Sequence, residues 1–596
     1  MRLQDRSALE KTRPSLPYAL VLAAAMTPLL GEPASAQLRV GPVIRVDEAP
    51  GATPSNEFSR STSFADPLVS LGGYNDYRPP SQVGCWFALT EDGGETWTEV
   101  LVRPPTPFQS FSEGDPMACH DDVTGELWAG GIAFSGNGGI FAARRDPLTG
   151  NFEPTRMIQT AGNVDKGWMA AGPAPSDPSQ RRVYCAYNLG VARSSDGGDT
   201  WQGPVSIGPG VGFLPRVAPD GTVHVAYYDF GLRHFLRSST DGGVTWSNPV
   251  VIADRMDSWP IQSNPRIPGE FRTPALSGLA IDPRDSAKLY AVFPDTTAFV
   301  AGEADVDVYF TRSVDAGATW STPVVLNGDA PFVGDQWFPW IEADEEGRLH
   351  VTFLDTRDVD QSDTSSSPRI NAYYALSEDE GATWVEARLT PTSWNAQDDG
   401  FGGGFLGDYL GIGVAGGRAL PSHLVTTPQS AADAAVNVVL VGPGQEYCRG
   451  IRCPCGNDDS RRGCGNRGFD GDPSTGADLV ASGSPSIAAD DLALTVRGVA
   501  PDAFGVLFVG TGRAETPRGD SKLCLGGTLR RFPVFQADVF GEAEVGPGGI
   551  VAVASGLAGG LTPGETLYFQ AFYRDFGGPC GAGFSLTNGV SVTWAP

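Results

Sequence analysis

The chain is predicted to be all-β: a β-propeller of four-stranded units followed by a small disulfide-containing β-sandwich. Three observations carry that expectation. A phrase of the form S/T-x-D-x-G-x-T-W occurs as TEDGGETW (90–97), SSDGGDTW (194–201), STDGGVTW (239–246), SVDAGATW (313–320) and SEDEGATW (377–384). The residues on either side of each copy alternate like strands, as in FLRSS before the third copy and WSNPVVI at its end. Composition agrees, since Gly 77 and Pro 48 against 19% charged residues suit short strands and turns rather than long helices. A chain of 596 residues also exceeds one core, so at least two domains are expected.

The first 36 residues read as an export signal. Lys11 and Arg13 precede an apolar run from Leu16 to Leu30, and Ala34-Ser35-Ala36 has the small-x-small form of a cleavage site, giving a mature start near Gln37. The run is short for a membrane anchor and no later segment is apolar enough to cross a bilayer, so no membrane span is expected. The formal net charge of -28, with no Lys/Arg cluster, argues against a nucleic-acid partner.

The propeller is expected over residues 37–443. Each repeated phrase is a hairpin turn between the third and fourth strands of a unit. Its Gly adopts a backbone conformation closed to other residues, its Asp and Ser/Thr oxygens accept backbone N–H groups, and its Trp covers the gap to the next sheet. The long interval between Asp92 and Asp196 leaves room for a decayed copy, and ARRDPLTGNF (143–152) fits, with Phe152 near the Trp place. Two further strands precede each turn, as in PRVAPDGTVHVAYYD (215–229), which makes the four-stranded blade of a propeller. After the last copy, residues 407–428 and 435–443 supply three strands without a turn phrase, and VGPVIRVDE (40–48) is the candidate fourth. Closing the ring in this way favours seven blades, with six as the alternative.

Residues 444–470 read as a Cys/Gly-rich linker, and 471–596 as a C-terminal β-sandwich. Cys448, Cys453, Cys455, Cys464, Cys524 and Cys580 form an even set with fifteen pairings open. The spacing lacks C-x2-C knuckles, so disulfides are expected rather than zinc. Cys85, Cys119 and Cys185 remain in the propeller, and an odd number leaves at least one unpaired.

The five phrases resemble the Asp-box, or BNR repeat, of the sialidase superfamily, over roughly residues 38–443. The resemblance implies a propeller whose box turns lie away from the active site, so the candidate site is the opposite mouth, where first strands start and second strands end. In chain order that mouth holds Glu57, Asp76, Arg78, Asp115, Asp165, Lys166, Arg216, Tyr228, Asp229, Arg272, Asp295, Asp335, Asp355, Arg357, Asp408 and Tyr409.

A sialidase-like mechanism implies arginines clamping a substrate carboxylate, a Tyr nucleophile with a Glu to deprotonate it, and an Asp acid/base. Arg216, Arg272 and Arg357 are the candidate clamp. Arg266-Ile267-Pro268 resembles the family's substrate-arginine motif, although it follows the fourth box, counting the decayed copy, where the family places it before the first. Tyr409 or Tyr228 is the candidate nucleophile, Asp355 or Asp229 the candidate acid, and Glu342 the candidate Glu. Equally, strand-end Asp residues cap turns, and Arg357 pairs with Asp355 or Asp358 as a plain ion pair.

No G-x-S-x-G, H-E-x-x-H or G-K-S/T phrase is present, and His120, His224, His234, His350 and His423 form no ligand spacing. Clustered aspartates lack a calcium-loop spacing. No cofactor or metal is expected. Two functions stand: a secreted sialidase-like glycoside hydrolase, and a non-catalytic propeller binding extracellular glycans or glycoproteins with the C-terminal module as an accessory.

Overall fold

The computed structural model describes residues 38–47, 53–78, 83–109, 112–134, 138–229, 233–256, 272–300, 303–331, 333–358, 369–401, 404–426, 431–459, 462–467, 475–557 and 561–595. The expected export signal and Arg266 lie outside the described residues. Strand dominates the chain: the described helices are the single turns Ala396–Asp398 and Ile550–Ala554.

The region up to Val441 is a β-propeller of antiparallel meanders. Sheet one is Ser55–Thr62, Ser70–Asp76, Gly84–Thr90 and Thr98–Leu101; sheet two is Glu113–His120, Leu127–Ala133, Gly139–Arg144 and Arg156–Thr160. Sheet three is Trp168–Ala174, Asp177–Tyr187, Gly190–Ser194 and Gln202–Val205; sheet four is Val211–Val217, Val223–Tyr228, Arg233–Ser239 and Val250–Asp254. Sheet five is Gly278–Ile281, Leu289–Val300, Glu303–Ser313 and Val324–Val325; sheet six is Gln336–Ala343, Leu349–Asp355, Arg369–Ser377 and Val385–Arg388. Sheet seven joins Gly411–Ala415, Arg418–Val425, Asp433–Val436 and Val439–Val441 to the N-terminal strands Leu38–Val40 and Ile44–Arg45. Each first strand touches the first strand of the next sheet, and Gly411–Ala415 touches Ser55–Thr62. The ring is thus closed by a strand from the chain's other end, with Leu38 opposite Val441 and Ile44 opposite Val436.

The repeated phrase folds alike in its five copies. In the third, Ser239 Oγ donates to Asp241 Oδ1 (2.7 Å) and accepts the Gly243 N–H (2.8 Å). Asp241 also accepts the Thr245 N–H (2.9 Å) and hydroxyl (2.5 Å). The same bonds recur around Asp92, Asp196, Asp315 and Asp379. These donors hold the Asp carboxylates below the usual range, Asp196 at about 2. The second residue of the x-Gly pair is Gly in every copy because it has positive φ and abuts the preceding sheet. A Cβ on Gly381 would lie 2.2 Å from the Phe310 ring, and one on Gly317 2.2 Å from Leu236. The Trp leans the same way: Trp384 meets Phe310 edge-on at 5.3 Å. Each turn therefore fastens its own sheet to the one before it. At 143–152, Asp146 accepts the Leu148 N–H (2.8 Å), Gly150 has positive φ and Phe152 is buried.

Beyond sheet seven, Gln445–Tyr447 pairs with Gly589–Thr593, so part of the Cys-rich stretch belongs to the C-terminal sheet. That sheet also holds Phe504–Arg518, Ser521–Gln536, Thr566–Asp575 and Gly583–Leu586; a three-stranded sheet of Asp478–Ser482, Ala493–Arg497 and Ala543–Val545 shares its core of Leu479, Val496, Leu507, Phe569 and Trp594. Disulfides join Cys448 to Cys524, Cys453 to Cys464 and Cys455 to Cys580. Cys85, Cys119 and Cys185 are free and buried.

Candidate functional site

At the mouth opposite the repeat turns, the first strands share a local distortion. Glu57, Asp115, Lys166 and Phe338 have φ of 56°, 51°, 51° and 53°, and Gly212 and Gly407 occupy the equivalent places with φ of 71° and 97°. The pairing register slips at these points in sheets one, two, four and six. A bulge with one left-handed residue re-aims the side chain, and for a residue bearing Cβ it costs conformational energy that the surroundings must offset.

What offsets it at three positions is a buried charge knot. Lys166 Nζ lies 3.1 Å from Glu57 Oε1, 3.9 Å from Asp115 Oδ1, and in closer contact with Asp408 Oδ2. Arg272 also donates to Asp408. Asn75 donates to Glu57 Oε2 (2.8 Å) and accepts the Asp115 N–H (3.0 Å). Three carboxylates against two cations leave one excess negative charge, which a single proton neutralises. Burial pushes the Glu57 carboxyl well up, and it bonds to Asp115, which Lys166 and that bond hold down. These opposite directions make Glu57 the member of the knot that takes up a proton most readily.

Tyr409 lies beneath the knot, with Lys166 5.7 Å from its ring centroid; its hydroxyl has no hydrogen-bond partner among the described residues, and burial raises its pKa. Tyr228 is likewise buried, with its hydroxyl pushed up to about 12. Asp229 accepts the Arg233 N–H (3.2 Å), closing the hairpin that follows Tyr228. Asp165 is exposed, and Asp295 faces Arg255 at 3.8 Å.

The expected arginine clamp is distributed over three places. Arg272 is in the knot. Arg357 is held by Asp355 through its backbone N–H (2.6 Å) and Nε (2.7 Å), and reaches Glu386 (2.5 Å) on the fourth strand of sheet six. Sheet one repeats this device: Asp76 holds Arg78 (2.7 and 2.6 Å), which reaches Glu99 (2.9 Å). Arg78 covers Trp86 at 4.1 Å, and Arg357 covers Tyr373 at 4.5 Å. The sequence signal is D-x-R at the end of a second strand with W-x-E after the turn, and it makes Asp355–Arg357 a brace within one sheet. Arg216 is at the other end of the channel.

Asp335 accepts the Val306 N–H (3.1 Å), and burial among Asp305, Asp307 and Asp355 raises its carboxyl to about 7. Its folded pKa exceeds its unfolded one, so the folded state binds the extra proton and loses stability as pH rises from about 4 to about 7. Asp335→Asn should therefore gain stability relative to wild type across that interval in urea unfolding. A difference independent of pH would contradict this.

Midway along the channel, Trp168, Trp340 and Tyr409 pack tilted or edge-on at centroid separations of 5.1 to 6.4 Å. Below them, at the repeat-turn end, lies a cavity of about 320 Å³. Sequence reasoning placed the candidate site at the opposite mouth, where the charge knot lies. Trp168 and Trp340 form part of the cavity lining, with Arg216, Glu342, Ser61, His120 and Asp122 among the polar groups. Arg216 donates to Glu342, lies 5.8 Å from the Trp340 ring centroid, and gives Nε to the Leu279 carbonyl (2.8 Å). Ser61 Oγ meets His120 Nδ1, and His120 Nε2 lies 2.5 Å from Asp122 Oδ1. The Asp122 carboxylate holds the His120 imidazole above its usual value, and burial raises Glu342. Ser61, His120, Asp122, Trp168 and Trp340 escaped the sequence reading because no short spacing unites them.

The C-terminal module meets the same end of the propeller. Arg449, fully buried, donates to the Phe64 carbonyl (2.8 Å), to Glu446 (2.9 Å) and to Glu345, three residues beyond Glu342. Phe64 in turn lies against His120 at 6.0 Å.

No protein-family model and no curated protein matches the chain. Among solved structures, it is similar to a protein of unknown function from Dyadobacter fermentans (13% identity, covering 68% of this chain and 99% of that one, TM-score 0.38). It is also similar to an alpha-L-arabinanase of Penicillium chrysogenum complexed with arabinobiose (13% identity, 67% and 98%, TM-score 0.37). A third is the NanB sialidase of Streptococcus pneumoniae (11% identity, 67% and 70%, TM-score 0.34). The propeller fold is assigned from this chain's own strand pairing.

Proposed function

We propose that the protein is an exported, seven-bladed Asp-box propeller of the sialidase-like kind, followed by a disulfide-bonded β-sandwich, and that it recognises extracellular glycans in the cavity at its repeat-turn end. The observation that carries the proposal is the lining of that cavity. Trp168 and Trp340, each 5% exposed, contribute apolar ring atoms to the lining, while Arg216, Glu342, His120 and Asp122 offer charged donors and acceptors. A sugar ring needs both: a face to stack on and polar groups for its hydroxyls. Export is supported by the first 36 residues and by the three disulfides.

Glycan-array screening of the mature protein, followed by calorimetry on the best ligand, tests this. Trp340→Ala and Arg216→Ala should each weaken binding by roughly 10- to 100-fold, about 1.4–2.7 kcal/mol. Absence of any glycan ligand, or affinity unchanged in both variants, would overturn the reading.

The strained backbone at Glu57, Asp115 and Lys166 favours a second reading, sialidase-type hydrolysis at the opposite mouth with Tyr409 as nucleophile, Arg272 binding substrate and the Glu57–Asp115 pair sharing a proton. Turnover of a fluorogenic sialoside, lost in Tyr409→Phe with the fold intact, would support it over binding alone.

A further inference from the structure

We propose that Ser61, His120 and Asp122 form a nucleophilic relay that cleaves acyl esters, with O-acylated sugars as the substrate class. The glycan part of this inference rests on the proposed function above; the relay itself rests on geometry. Ser61 is on the first strand of sheet one, and His120 ends the first strand of sheet two. The ring of first strands brings them together although they are 59 residues apart in sequence.

The roles follow from the atoms. Asp122 Oδ1 lies 2.5 Å from Nε2, which fixes a proton on that nitrogen and leaves Nδ1 as the base facing the Ser61 hydroxyl. A serine hydroxyl is a weak nucleophile until such a base takes its proton. The Phe64 ring lies beside the imidazole, with centroids 6.0 Å apart. All three polar residues line the cavity of about 320 Å³, which has room for a small acyl group beside a sugar ring. The familiar serine-hydrolase phrase is missing because the nucleophile sits on a propeller strand and not on a strand-to-helix elbow.

In the first step, Ser61 Oγ forms a bond to the ester carbonyl carbon and its proton passes to His120 Nδ1. Arg216, held by Glu342 and the Leu279 carbonyl in the lining of the same cavity, brings positive charge to the developing oxyanion. The carbon–oxygen bond to the sugar then breaks, and the leaving sugar oxygen takes the proton from His120. Water, deprotonated by His120, attacks the acyl-serine; the acid is released and the proton returns to Ser61. No other reactant is required.

The reaction needs neutral imidazole. Asp122 and Asp121 on its own segment and Glu342 across the cavity favour the charged form, whereas burial opposes it; Arg216 faces the same space. The net direction is upward, so the rate should rise with pH through an ionisation above about 6.5.

The full mature chain is tested with p-nitrophenyl acetate and, separately, with a fluorophosphonate probe followed by peptide mass spectrometry. Expected are turnover and an adduct on Ser61. Ser61→Ala should abolish both, and Asp122→Asn should lower the rate at least 100-fold, each with an unchanged circular dichroism spectrum. An adduct elsewhere, or hydrolysis unaffected by Ser61→Ala, would overturn the relay. Glycan binding measured on Ser61→Ala separates the two proposals. Binding without any Ser61 reactivity overturns the relay and leaves the glycan reading standing. Ser61 reactivity without glycan binding supports the relay and removes sugars as its substrate.

Discussion

Lys166→Met is expected to destabilise the propeller by about 3–5 kcal/mol at neutral pH, the usual cost of leaving buried charge without its partner. Lys166 contacts Glu57, Asp115 and Asp408, all of them buried, and only Arg272 on Asp408 would remain to balance three acids. The loss should shrink on acidification, because protonating the stranded carboxylates removes the uncompensated charge. Glu57→Gln supplies the contrast. If Glu57 already carries the proton of the knot, an amide replaces a neutral acid and the cost should stay near 1 kcal/mol. Asp115→Asn removes an ionised group that accepts the Lys166 N–H at 3.0 Å and should cost more. Urea unfolding of the three variants at pH 5 and pH 7 checks the order. Equal losses for Glu57→Gln and Asp115→Asn would mean that the proton is not held as described.

The second large effect is expected at the junction of the two regions. Arg449→Ala should cost about 3–5 kcal/mol, since it leaves the Phe64 carbonyl and the Glu345 and Glu446 carboxylates without their shared cation. Lysine cannot replace it, because a point charge does not reach three acceptors in a planar fork. The expected readout is thermal unfolding that splits into two transitions, with the C-terminal sheets held by their disulfides melting apart from the propeller. A single transition at the wild-type temperature would contradict the assigned role. Because Arg449 anchors Phe64 beside His120, the same variant should also lower the affinity of the cavity for its glycan ligand.

Much of the scaffold is legible in the sequence because it is local. The D-x-G-x-T-W turns make their hydrogen bonds within five residues, so their pattern survives in one dimension. The segment at residues 40–48 could be assigned to the last sheet from its likeness to other fourth strands, and Ile44–Arg45 pairs there. The charged residues of the opposite mouth were also found, since strand order alone places Glu57, Asp115, Lys166 and Asp408 there. What strand order does not carry is which neighbours satisfy one another. Arg216, Arg272 and Arg357 read alike as strand-end cations, yet one lines a cavity, one joins a charge knot and one braces its own sheet. The Ser61–His120–Asp122 chain depends on the register between sheets one and two, for which no local signal exists. The Trp168, Trp340 and Tyr409 block likewise unites sheets three, six and seven, and it decides which end of the channel is filled.

On the proposed reading, this propeller meets its ligand at the repeat-turn end and not at the opposite mouth. A crystal structure of the mature protein soaked with its best array glycan decides between the two ends. A sugar ring is expected against Trp340, within hydrogen-bonding reach of Arg216, Glu342 and His120. A sugar bound instead at the opposite mouth, against Arg272, would overturn that reading.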